Sequence, residues 1–400
     1  MQANQHFNCP APTQLAWLMP ARLAIMAALT AALAACGGGG GGDSDTTASG
    51  SGSQTTSGGG YMVATVAGGR DNPDRAIING PAATATFNAP SGVALAPDGS
   101  LYVADSESQR IRKIAPNGTV STVAGGGALS HTGICDFNSY DDGPCASANF
   151  NGPQDLTVDK DGTIYVADTY NWAIRKITNP GTASCMVSTL AGSCNYGSDD
   201  GQGSDASFTA PMALAQDANG NLYVTDYYAV RKVTPSGLVT TLAGSNNSEP
   251  GTADGMGLSA RFNVLQGIAL DAKGNLYVSD FWNNNIRKIA PDGMVTTWAG
   301  TGAVGSANGP IASATFNQPA GLAIQADGTL YVSDHSSGLV RKITPNGQVT
   351  TLAGTGGWAL VDGPASQAMF FEPMGLAVGA GVLYVADQGN NAIRKITLAP

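Results

Sequence analysis

The chain has few charged residues and almost no histidine. Of its 400 residues, 12% are charged and only 3 are His. The excess of 29 Asp and Glu over 19 Lys and Arg gives a formal net charge of −10. This balance argues against nucleic acid as a partner, because phosphate binding requires clustered basic side chains. The 54 glycines and 42% hydrophobic residues instead favour a turn-rich chain with a large buried core.

The N-terminus carries the marks of export. Residues 1–35 are predicted to be a signal peptide, in which Arg22 precedes an apolar run too short to span a membrane as a mature helix. We expect the true start to be Met19, because the polar residues before it suit no signal peptide. Residues 33–36, Leu-Ala-Ala-Cys, resemble the lipobox of bacterial lipoproteins. The resemblance implies cleavage before Cys36 and lipidation of its thiol; the alternative is an ordinary signal peptide with a chance cysteine.

The segment that follows is rich in Gly and Ser. Residues 36–60 cannot bury enough apolar surface to become ordered, so their composition predicts a flexible tether. By resemblance to Gram-negative sorting rules, Gly37 implies an anchor in the bacterial outer membrane. The domain would then be periplasmic or surface-exposed, and the sequence leaves open which leaflet displays it.

A pattern of three markers recurs six times over the rest of the chain. Each copy has a Phe, then Leu/Ile-Tyr-Val-Ala/Ser/Thr-Asp, then an Arg-Lys pair. The aspartates are Asp105, Asp168, Asp226, Asp280, Asp334 and Asp387. The phenylalanines are Phe87, Phe150, Phe208, Phe262, Phe316 and Phe370, and the arginines are Arg112, Arg175, Arg231, Arg287, Arg341 and Arg394. Because independent markers keep the same phase, the repeat is real.

Each copy contains four short β-branched runs separated by Asp-Gly or Asn-Gly turn signals, which indicates four antiparallel strands. Six such units predict an all-β, six-bladed β-propeller of four-stranded blades over residues 61–400. The unit Phe-Asn-x-Pro-x-Gly-Leu-Ala, Gly-x-Leu-Tyr-Val-Ala-Asp and Asn-x-Ile-Arg-Lys-Ile resembles the NHL repeat. That resemblance implies the fold and says little about function, since propellers host binders and enzymes alike.

A further fourth-strand motif, Val-x-Thr-x-Ala-Gly, stands before the first unit at residues 63–68, whereas the last unit stops after its third strand. We expect residues 61–68 to complete the last blade and close the ring. Residues present in all six units most simply serve the fold. We expect each aspartate to accept hydrogen bonds from the turn that follows it, and each arginine to pair with an aspartate between blades.

Strand direction alternates, so the loops sort onto two faces. One face carries short, uniform Asp-Gly and Asn-Gly turns, and we call it the tight-turn face. The other, which we call the variable face, carries the second-to-third loops and the blade-to-blade crossings. Binding residues usually lie on variable loops held by a rigid scaffold. The ligand-binding candidates on this face are Tyr170, Trp172, Tyr227, Tyr228, Phe281, Trp282 and His335; the alternative is that these rings pack against the crossing loops.

A second group of candidates lies at the start of the first strands, which should face the mouth of the central channel. There Gln154, Asp155 and Gln266 could bind a polar ligand, and Asp155 replaces a glycine of the repeat. Harmless drift is the alternative. No cofactor or metal is predicted. Two histidines, His131 and His335, cannot reproduce the three-histidine zinc site of the propeller lyases that the fold resembles.

Four cysteines remain after Cys36: Cys135, Cys145, Cys185 and Cys194. An even count in an exported protein predicts two disulfides. Cys135 and Cys145 lie in one insert, which makes a bond between them our expectation. A strand separates Cys185 from Cys194 by too great a length for a direct bond, so the connectivity of that pair stays open.

These observations favour binding over catalysis. We expect a lipid-anchored, extracytoplasmic monomer that binds a protein, peptide or glycan ligand through its variable face and contacts the membrane only through its lipid anchor. One alternative is a metal-dependent propeller lyase or lactonase acting at the channel mouth. Another is a structural component of the cell envelope.

Overall fold

The computed structural model describes residues 60–70, 74–126, 140–245 and 249–398. The predicted signal peptide, Cys36, the tether and Cys135 therefore lie outside the described residues. Within the described part of the chain, no helix has the length and apolar character needed to cross a membrane.

The strands form six antiparallel sheets of five strands each, arranged as the blades of a propeller. In chain order the strands of blade 1 are β2 (Gly80–Pro81), β3 (Pro90–Leu95), β4 (Leu101–Asp105), β5 (Arg110–Ile114) and β6 (Thr119–Ala124). Blade 2 comprises β7 (Gly143–Pro144), β8 (Pro153–Val158), β9 (Ile164–Asp168), β10 (Ala173–Thr178) and β11 (Met186–Ala191). Blade 3 comprises β12 (Gly201–Gln202), β13 (Pro211–Gln216), β14 (Leu222–Asp226), β15 (Ala229–Val233) and β16 (Leu238–Gly244).

The other three blades repeat this arrangement. Blade 4 comprises β17 (Gly255–Met256), β18 (Leu265–Leu270), β19 (Leu276–Asp280), β20 (Asn285–Ile289) and β21 (Met294–Ala299). Blade 5 comprises β22 (Gly309–Pro310), β23 (Pro319–Ile324), β24 (Leu330–Asp334), β25 (Leu339–Ile343) and β26 (Gln348–Ala353). Blade 6 comprises β27 (Gly363–Pro364), β28 (Pro373–Gly379), β29 (Val382–Asp387), β30 (Ala392–Thr397) and, from the other end of the domain, β1 (Met62–Gly68).

The second-to-third connection of every blade except the third is a three-residue 3-10 helix. These helices are Ser106–Ser108, Thr169–Asn171, Phe281–Asn283, His335–Ser337 and Gln388–Asn390. Blade 3 has a two-residue turn there, formed by Tyr227 and Tyr228. Two more 3-10 helices, Gly203–Asp205 and Gly257–Ser259, lie in the crossings that enter blades 3 and 4.

The innermost strands of the blades pack against one another in a closed ring around the central channel. These strands, called first strands in the four-strand repeat, are β3, β8, β13, β18, β23 and β28. Glycine lets these strands approach closely. A Cβ atom at Gly321 would lie 2.2 Å from the Met374 carbonyl oxygen of the next blade, and one at Gly267 would lie 2.2 Å from the Ala320 carbonyl oxygen. The predicted six-bladed β-propeller is therefore confirmed.

Ring closure by the N-terminal strand is also confirmed. Strand β1 pairs antiparallel with β30, from Met62 opposite Thr397 to Gly68 opposite Ala392. Val63 and Ala67 of β1 are buried in the core. The first and last strands of the domain thus complete one blade, and neither leaves an open edge.

The sequence predicts four strands per blade, but each blade has a fifth at its outer edge. This fifth strand comes first in chain order; the six are β2, β7, β12, β17, β22 and β27. Two residues of each crossing pair with the outer edge of the fourth strand; in blade 4, Gly255 lies opposite Val295. The residue before this glycine fixes the short strand, because Asp254 accepts hydrogen bonds from Arg287 Nη2 at 2.6 Å and from Thr297 Oγ1 at 3.1 Å. Two residues are too few to show a strand periodicity in the sequence.

The three markers of the repeat meet at one buried position in each blade. In blade 4, Arg287 Nη1 donates to Asp280 Oδ2 at 2.9 Å, and the guanidinium lies over the Phe262 ring, 5.1 Å from its centroid. The framework role is thus supported, although the predicted pairing between blades is wrong, since arginine and aspartate belong to the same blade. The predicted hydrogen bond from the following turn is confirmed in this blade, because Asp280 Oδ2 accepts Asn283 Nδ2 at 2.9 Å. The Oδ1 atom accepts the backbone N–H of Asn263, which precedes the inner strand, at 2.7 Å.

The predicted bond between Cys135 and Cys145 is wrong. Cys145 is bonded to Cys185, and their Cα atoms are 5.4 Å apart. Cys145 directly follows β7 and Cys185 directly precedes β11. Because β7 and β11 pair antiparallel, the two cysteines lie side by side. The Cys145 N–H donates to the Cys185 carbonyl at 3.1 Å. Cys194 is disulfide-bonded as well.

Candidate functional site

The loops of the variable face join each blade to the next. The residue that ends the 3-10 turn has a left-handed backbone, with φ of 53° at Asn284 and 51° at Asn391. The Asn284 amide oxygen accepts the Gln318 N–H at 3.0 Å, and the Asn391 oxygen accepts the Ala89 N–H at 2.8 Å. An amide at this position therefore ties neighbouring blades together.

Blade 2 has Trp172 at the equivalent position, with φ of 50°. An indole ring cannot accept this hydrogen bond, and a left-handed backbone is unfavourable for a bulky side chain. The ring instead packs edge-on against Tyr196 of the next crossing, with centroids 5.7 Å apart. The N–H group equivalent to those of Gln318 and Ala89 is that of Ala210 in blade 3. It donates to Asp226 Oδ1 of its own blade at 2.7 Å. The interblade contact that an amide makes elsewhere is thus replaced by an aromatic contact.

Blade 3 continues the aromatic surface. The rings of Tyr227 and Tyr228 lie 4.4 Å apart. Burial, together with the neighbouring Tyr227 and Tyr196 side chains, raises the pKa of Tyr228 to about 12. The Tyr227 carbonyl accepts the Leu265 N–H of blade 4 at 2.8 Å, which carries the surface on to the next blade.

Blades 4 and 5 add a second group of rings. Phe281 lies edge-on to Trp282, with centroids 5.5 Å apart, and edge-on to His335 of blade 5 at 5.6 Å. Backbone hydrogen bonds from Phe281 N–H to Val264 and from Trp282 N–H to Asn263 hold the turn against the start of the first strand. The structure thus brings the consecutive residues Phe281 and Trp282 together with His335, which is distant from them in sequence.

Tyr170 lies on the same face of blade 2. Its ring covers Gly152, where a Cβ atom would lie 2.4 Å from the Tyr170 Cδ2 atom. Only glycine leaves room for the ring at that position. The Tyr170 ring therefore packs against the backbone of Gly152, and half of its surface is exposed.

Three further rings were not among the predicted residues. Trp358, in the crossing that enters blade 6, stacks on Phe371 with centroids 5.7 Å apart and an interplanar angle of 17°. Tyr196, in the crossing that enters blade 3, contacts Trp172. The signal lies in the crossings, where Tyr196 and Trp358 follow the Ala-Gly of the fourth strand by equal distances, as Val304 does.

We call this whole set of rings the aromatic arc; it extends over the variable face from blade 2 to blade 6. Its members are Tyr170, Trp172, Tyr196, Tyr227, Tyr228, Phe281, Trp282, His335, Trp358 and Phe371. Tyr170, Tyr196, Trp282 and Trp358 are 50%, 52%, 50% and 57% exposed. Both interpretations of the predicted rings thus apply, since Trp172 packs on a crossing loop while Tyr170 and Trp282 remain open to solvent.

The second predicted group lies apart from the arc. Gln154, Asp155 and Gln266 line a cavity of about 40 Å³ between the first strands. Such a volume holds roughly three water molecules. Asp155 Oδ2 accepts the Leu214 N–H of blade 3 at 3.0 Å, and its Oδ1 lies 2.6 Å from the place of a Cβ atom at Gly92 of blade 1. Asp155 therefore spans its two neighbouring blades.

Burial raises the pKa of Asp155 to about 7, although the N–H groups of Leu214 and Leu156 act in the opposite direction. The folded state therefore holds this proton at pH values where the unfolded chain has released it, so this group lowers the free energy of unfolding as the pH rises from about 4 to about 7. We expect Asp155→Asn to be more stable than the parent by about 2 kcal/mol at pH 8 and by much less at pH 4. Urea unfolding at both pH values measures the difference.

Asp205→Asn removes the same charge at an exposed position and serves as the control. An identical pH dependence of stability in the two variants would show that Asp155 is ionised in the folded protein at pH values well below 7.

Among the described residues, no group of three or more His, Cys, Asp or Glu side chains is arranged to hold a metal ion. The crossing-loop acids that follow the fourth strands are instead engaged by the framework. Asp142, Asp200 and Asp362 accept hydrogen bonds from buried arginines at 2.8, 2.9 and 2.6 Å.

The repeat, the six five-stranded sheets and the ring closure define a β-propeller built from NHL repeats. A family model for the teneurin NHL domain matches residues 62–178 and 185–252. The chain therefore contains an NHL-repeat domain. It is 30% identical over 309 residues to Teneurin-3 of Danio rerio, a match that covers 68% of this chain and 11% of that protein.

Other relatives show the same repeat. NHL repeat-containing protein 2 of Bos taurus is 32% identical over 66% of this chain and 40% of its own length. Protein SUPPRESSOR OF QUENCHING 1 of Arabidopsis thaliana is 30% identical over 65% of this chain and 26% of its own length. The matched region thus spans well under half of each of these relatives.

Among solved structures, an auxiliary nutrient binding protein from Bacteroides ovatus superposes with a TM-score of 0.62 and 19% identity, covering 84% of this chain and 76% of its own. A second protein, from Bacteroides thetaiotaomicron, superposes with a TM-score of 0.65 and 21% identity over the same shares. At these identities the likeness concerns the fold.

Proposed function

We propose that this protein is an exported, lipid-anchored recognition module that binds a glycan, peptide or protein through the aromatic arc. The observation that carries the proposal is the exposure of tyrosine and tryptophan rings on the variable face at positions where the fold needs only a small or amide side chain. The exposure is clearest at Tyr170 and Trp282, which are each 50% exposed. The replacement of an amide by a ring is clearest at Trp172, because Asn284 and Asn391 tie neighbouring blades together at the equivalent position. A contiguous exposed apolar surface of this kind marks interaction sites.

The chemistry of the exposed rings favours binding of a ligand. Tyrosine and tryptophan offer a large apolar area with a polar group at one end and lose little conformational freedom on binding. The arc rests on a rigid scaffold, since backbone hydrogen bonds fix the turns that carry Phe281 and Trp282. A preformed surface binds at a lower entropic cost than a mobile one.

The proposal places the protein in the outer membrane of a Gram-negative bacterium, held through lipidated Cys36 as a monomer. The lipobox-like residues 33–36 and the apolar run before them support this part. Metabolic labelling with an alkyne-bearing fatty acid tests it, and Cys36→Ser is expected to abolish the label.

An alternative function is a metal-dependent lyase or lactonase at the channel mouth. The observation in its favour is that burial raises the pKa of Asp155 to about 7, which is the perturbation expected of a functional carboxylate. Against it stands the cavity of about 40 Å³, which accepts a few waters and no sugar ring. A third possibility, a structural role in the envelope, requires no ligand at all.

A thermal-shift screen of the purified protein against glycans, peptides and divalent metals tests these functions. A ligand at a hundred times its Kd is expected to stabilise the folded state by about 2.7 kcal/mol. In the Trp172→Ala/Trp282→Ala variant we expect that shift to disappear. Trp282→Ala alone should change the melting temperature of the unliganded protein little, because Trp282 is half exposed.

The matched control is Asp155→Ala. A metal-induced shift that Asp155→Ala removes and the double tryptophan variant keeps would transfer the function to the channel. A ligand-induced shift unaffected by either change would place binding outside the aromatic arc.

A further inference from the structure

The turns that carry most of the aromatic arc are uncharged, whereas the crossings into blades 3, 4 and 6 contain acids such as Asp199, Glu249 and Asp362. The second-to-third turns of blades 2 to 6 contain no Lys, Arg, Asp or Glu, and neither does the crossing from residue 300 to residue 318. The carboxylates adjacent in sequence to rings of the arc are Asp226, Asp280 and Asp334, which are buried and paired with arginines, and Glu372, which follows Phe371. Since the protein as a whole carries a net charge of −10, the neutrality of these turns is a local property. It does not suit a polyanion, which requires clustered Lys and Arg.

Side-chain amides lie between the rings. The Asn283 Nδ2 group donates to the Gly251 carbonyl at 2.7 Å and to Asp280 Oδ2 at 2.9 Å. In blade 6, Asn390 Nδ2 makes the same pair of contacts, with the Ala359 carbonyl at 3.0 Å and with Asp387. An amide has two donors and a carbonyl acceptor, so both side chains are fixed through their nitrogen and keep the oxygen as an acceptor.

Two of the exposed rings are backed by a second ring. Trp358 lies nearly parallel to Phe371, at 17°, and Trp282 is held by the edge of Phe281. A backed ring is a flat, rigid platform with one face open. The negative face of such a ring attracts the C–H groups of a ligand, which carry a slight positive charge.

The platforms follow one another from blade to blade. Phe281 contacts His335 across the boundary of blades 4 and 5. The turn that begins at His335 ends at Gly338, and a Cβ atom there would lie 3.2 Å from the Trp358 Cδ1 atom. The surface from Trp282 to Trp358 is therefore continuous over three blades. A continuous row of separate platforms suits a chain of repeated units better than a compact ligand, because each unit adds to the overall affinity.

From these features we infer that the ligand of the aromatic arc is an extended, uncharged oligosaccharide, whose sugar rings stack on Trp282 and Trp358 and whose hydroxyls bond to Asn283 and Asn390. This inference rests on the proposed function and narrows it to one ligand class. A pyranose ring presents C–H groups on its faces and hydroxyls around its rim, which matches rings separated by amides. A peptide that binds by strand addition requires a free sheet edge, and the first two residues of each fourth strand are already paired with a fifth strand, as Met294 and Val295 are in blade 4.

The test uses the full-length protein and tryptophan fluorescence titration with neutral hexasaccharides of glucose, xylose and mannose, the corresponding disaccharides, and hexagalacturonate as the charged analogue. We expect at least one neutral hexasaccharide to bind at least tenfold more tightly than its disaccharide. Its Kd should change less than twofold between 50 and 500 mM NaCl, because no ion pairs form.

Trp282→Ala and Trp358→Ala are each expected to raise that Kd at least tenfold. Met186→Ala, an exposed apolar side chain on the outer edge of blade 2, is the matched control and should leave it unchanged. Stronger binding of hexagalacturonate, or no binding of any neutral hexasaccharide, would overturn the inference. If peptides bind through the arc when the sugars do not, the proposed function stands and only the ligand class is wrong.

Discussion

A chain that begins at Asn72, and so lacks β1, is expected to lose its cooperative unfolding transition at the temperature where the parent protein melts. Strand β1 provides the ladder to β30 over six residue pairs and buries Val63 and Ala67. At about 1 kcal/mol per hydrogen bond and about 2 kcal/mol for the buried valine, the loss is about 5 kcal/mol or more. That amount is comparable to the whole stability of many domains. Calorimetry and circular dichroism measure it.

The control is a chain that begins at Gly60, which retains β1 and should melt like the full-length protein. Removal of β1 also uncovers the edge of β30, so we expect the shorter chain to self-associate in size-exclusion chromatography. Equal melting temperatures for the two chains would show that blades 1 to 5 hold the ring closed without the strand.

The second large effect is expected from Arg287→Met. The Arg287 and Asp280 side chains are both fully buried, 2.9 Å apart. Removing one partner of a buried pair leaves an uncompensated charge and typically costs about 3–5 kcal/mol. Chemical denaturation at pH 7 measures this loss. A surface pair supplies the control: Arg75 and Glu107 are 3.3 Å apart on the exterior, and Arg75→Met should cost less than about 1 kcal/mol.

The loss in Arg287→Met should be smaller at pH 5 than at pH 8. Burial raises the pKa of Asp280 to about 6, and Arg287 limits that rise. Without the arginine the carboxyl holds its proton to still higher pH, so lowering the pH neutralises the stranded charge and restores stability. The double variant Arg287→Met/Asp280→Asn should recover part of the loss. A loss of the same size at both pH values would mean that packing of the Arg287 side chain, and not charge, accounts for it.

The sequence predicts the architecture of this domain because the fold is periodic. The phases of Phe87, Asp105 and Arg112 and their five copies are enough to identify the blades, and the extra motif at residues 63–68 predicts the closure. Repetition separates framework from function, since a residue needed in every blade appears in every blade. The roles of the individual atoms are harder to predict, because the partner of Asp280 Oδ1 lies 17 residues earlier in the chain.

The fifth strand shows where sequence reasoning fails. In the sequence, Gly143 and Pro144 look like part of a crossing loop. In the structure they pair with β11, and hydrogen bonds of Asp142 with Arg175 and Thr189 help to hold them there. Without that strand, Cys145 and Cys185 appear unrelated, although they are neighbours across a ladder. A pairing that depends on a two-residue strand leaves no periodic signal.

The candidate site was predicted in part. Loop parity placed Trp172, Tyr227 and Trp282 on one face, and the structure shows them there. Tyr196 and Trp358 were missed because the prediction considered only the second-to-third loops, although the two residues occupy equivalent positions in their crossings. Contact between a crossing and the preceding turn, such as that of Trp172 with Tyr196, is a tertiary property.

The direction of β1 determines at which face the chain enters the propeller. Met62 lies opposite Thr397, and the neighbouring Leu398 N–H bonds to the carbonyl of Gly381, in a turn of the tight-turn face. The chain thus enters the propeller on the side away from the aromatic arc. The proposed anchor at Cys36 would therefore join the domain at its tight-turn face, and the proposed ligand would approach the opposite face.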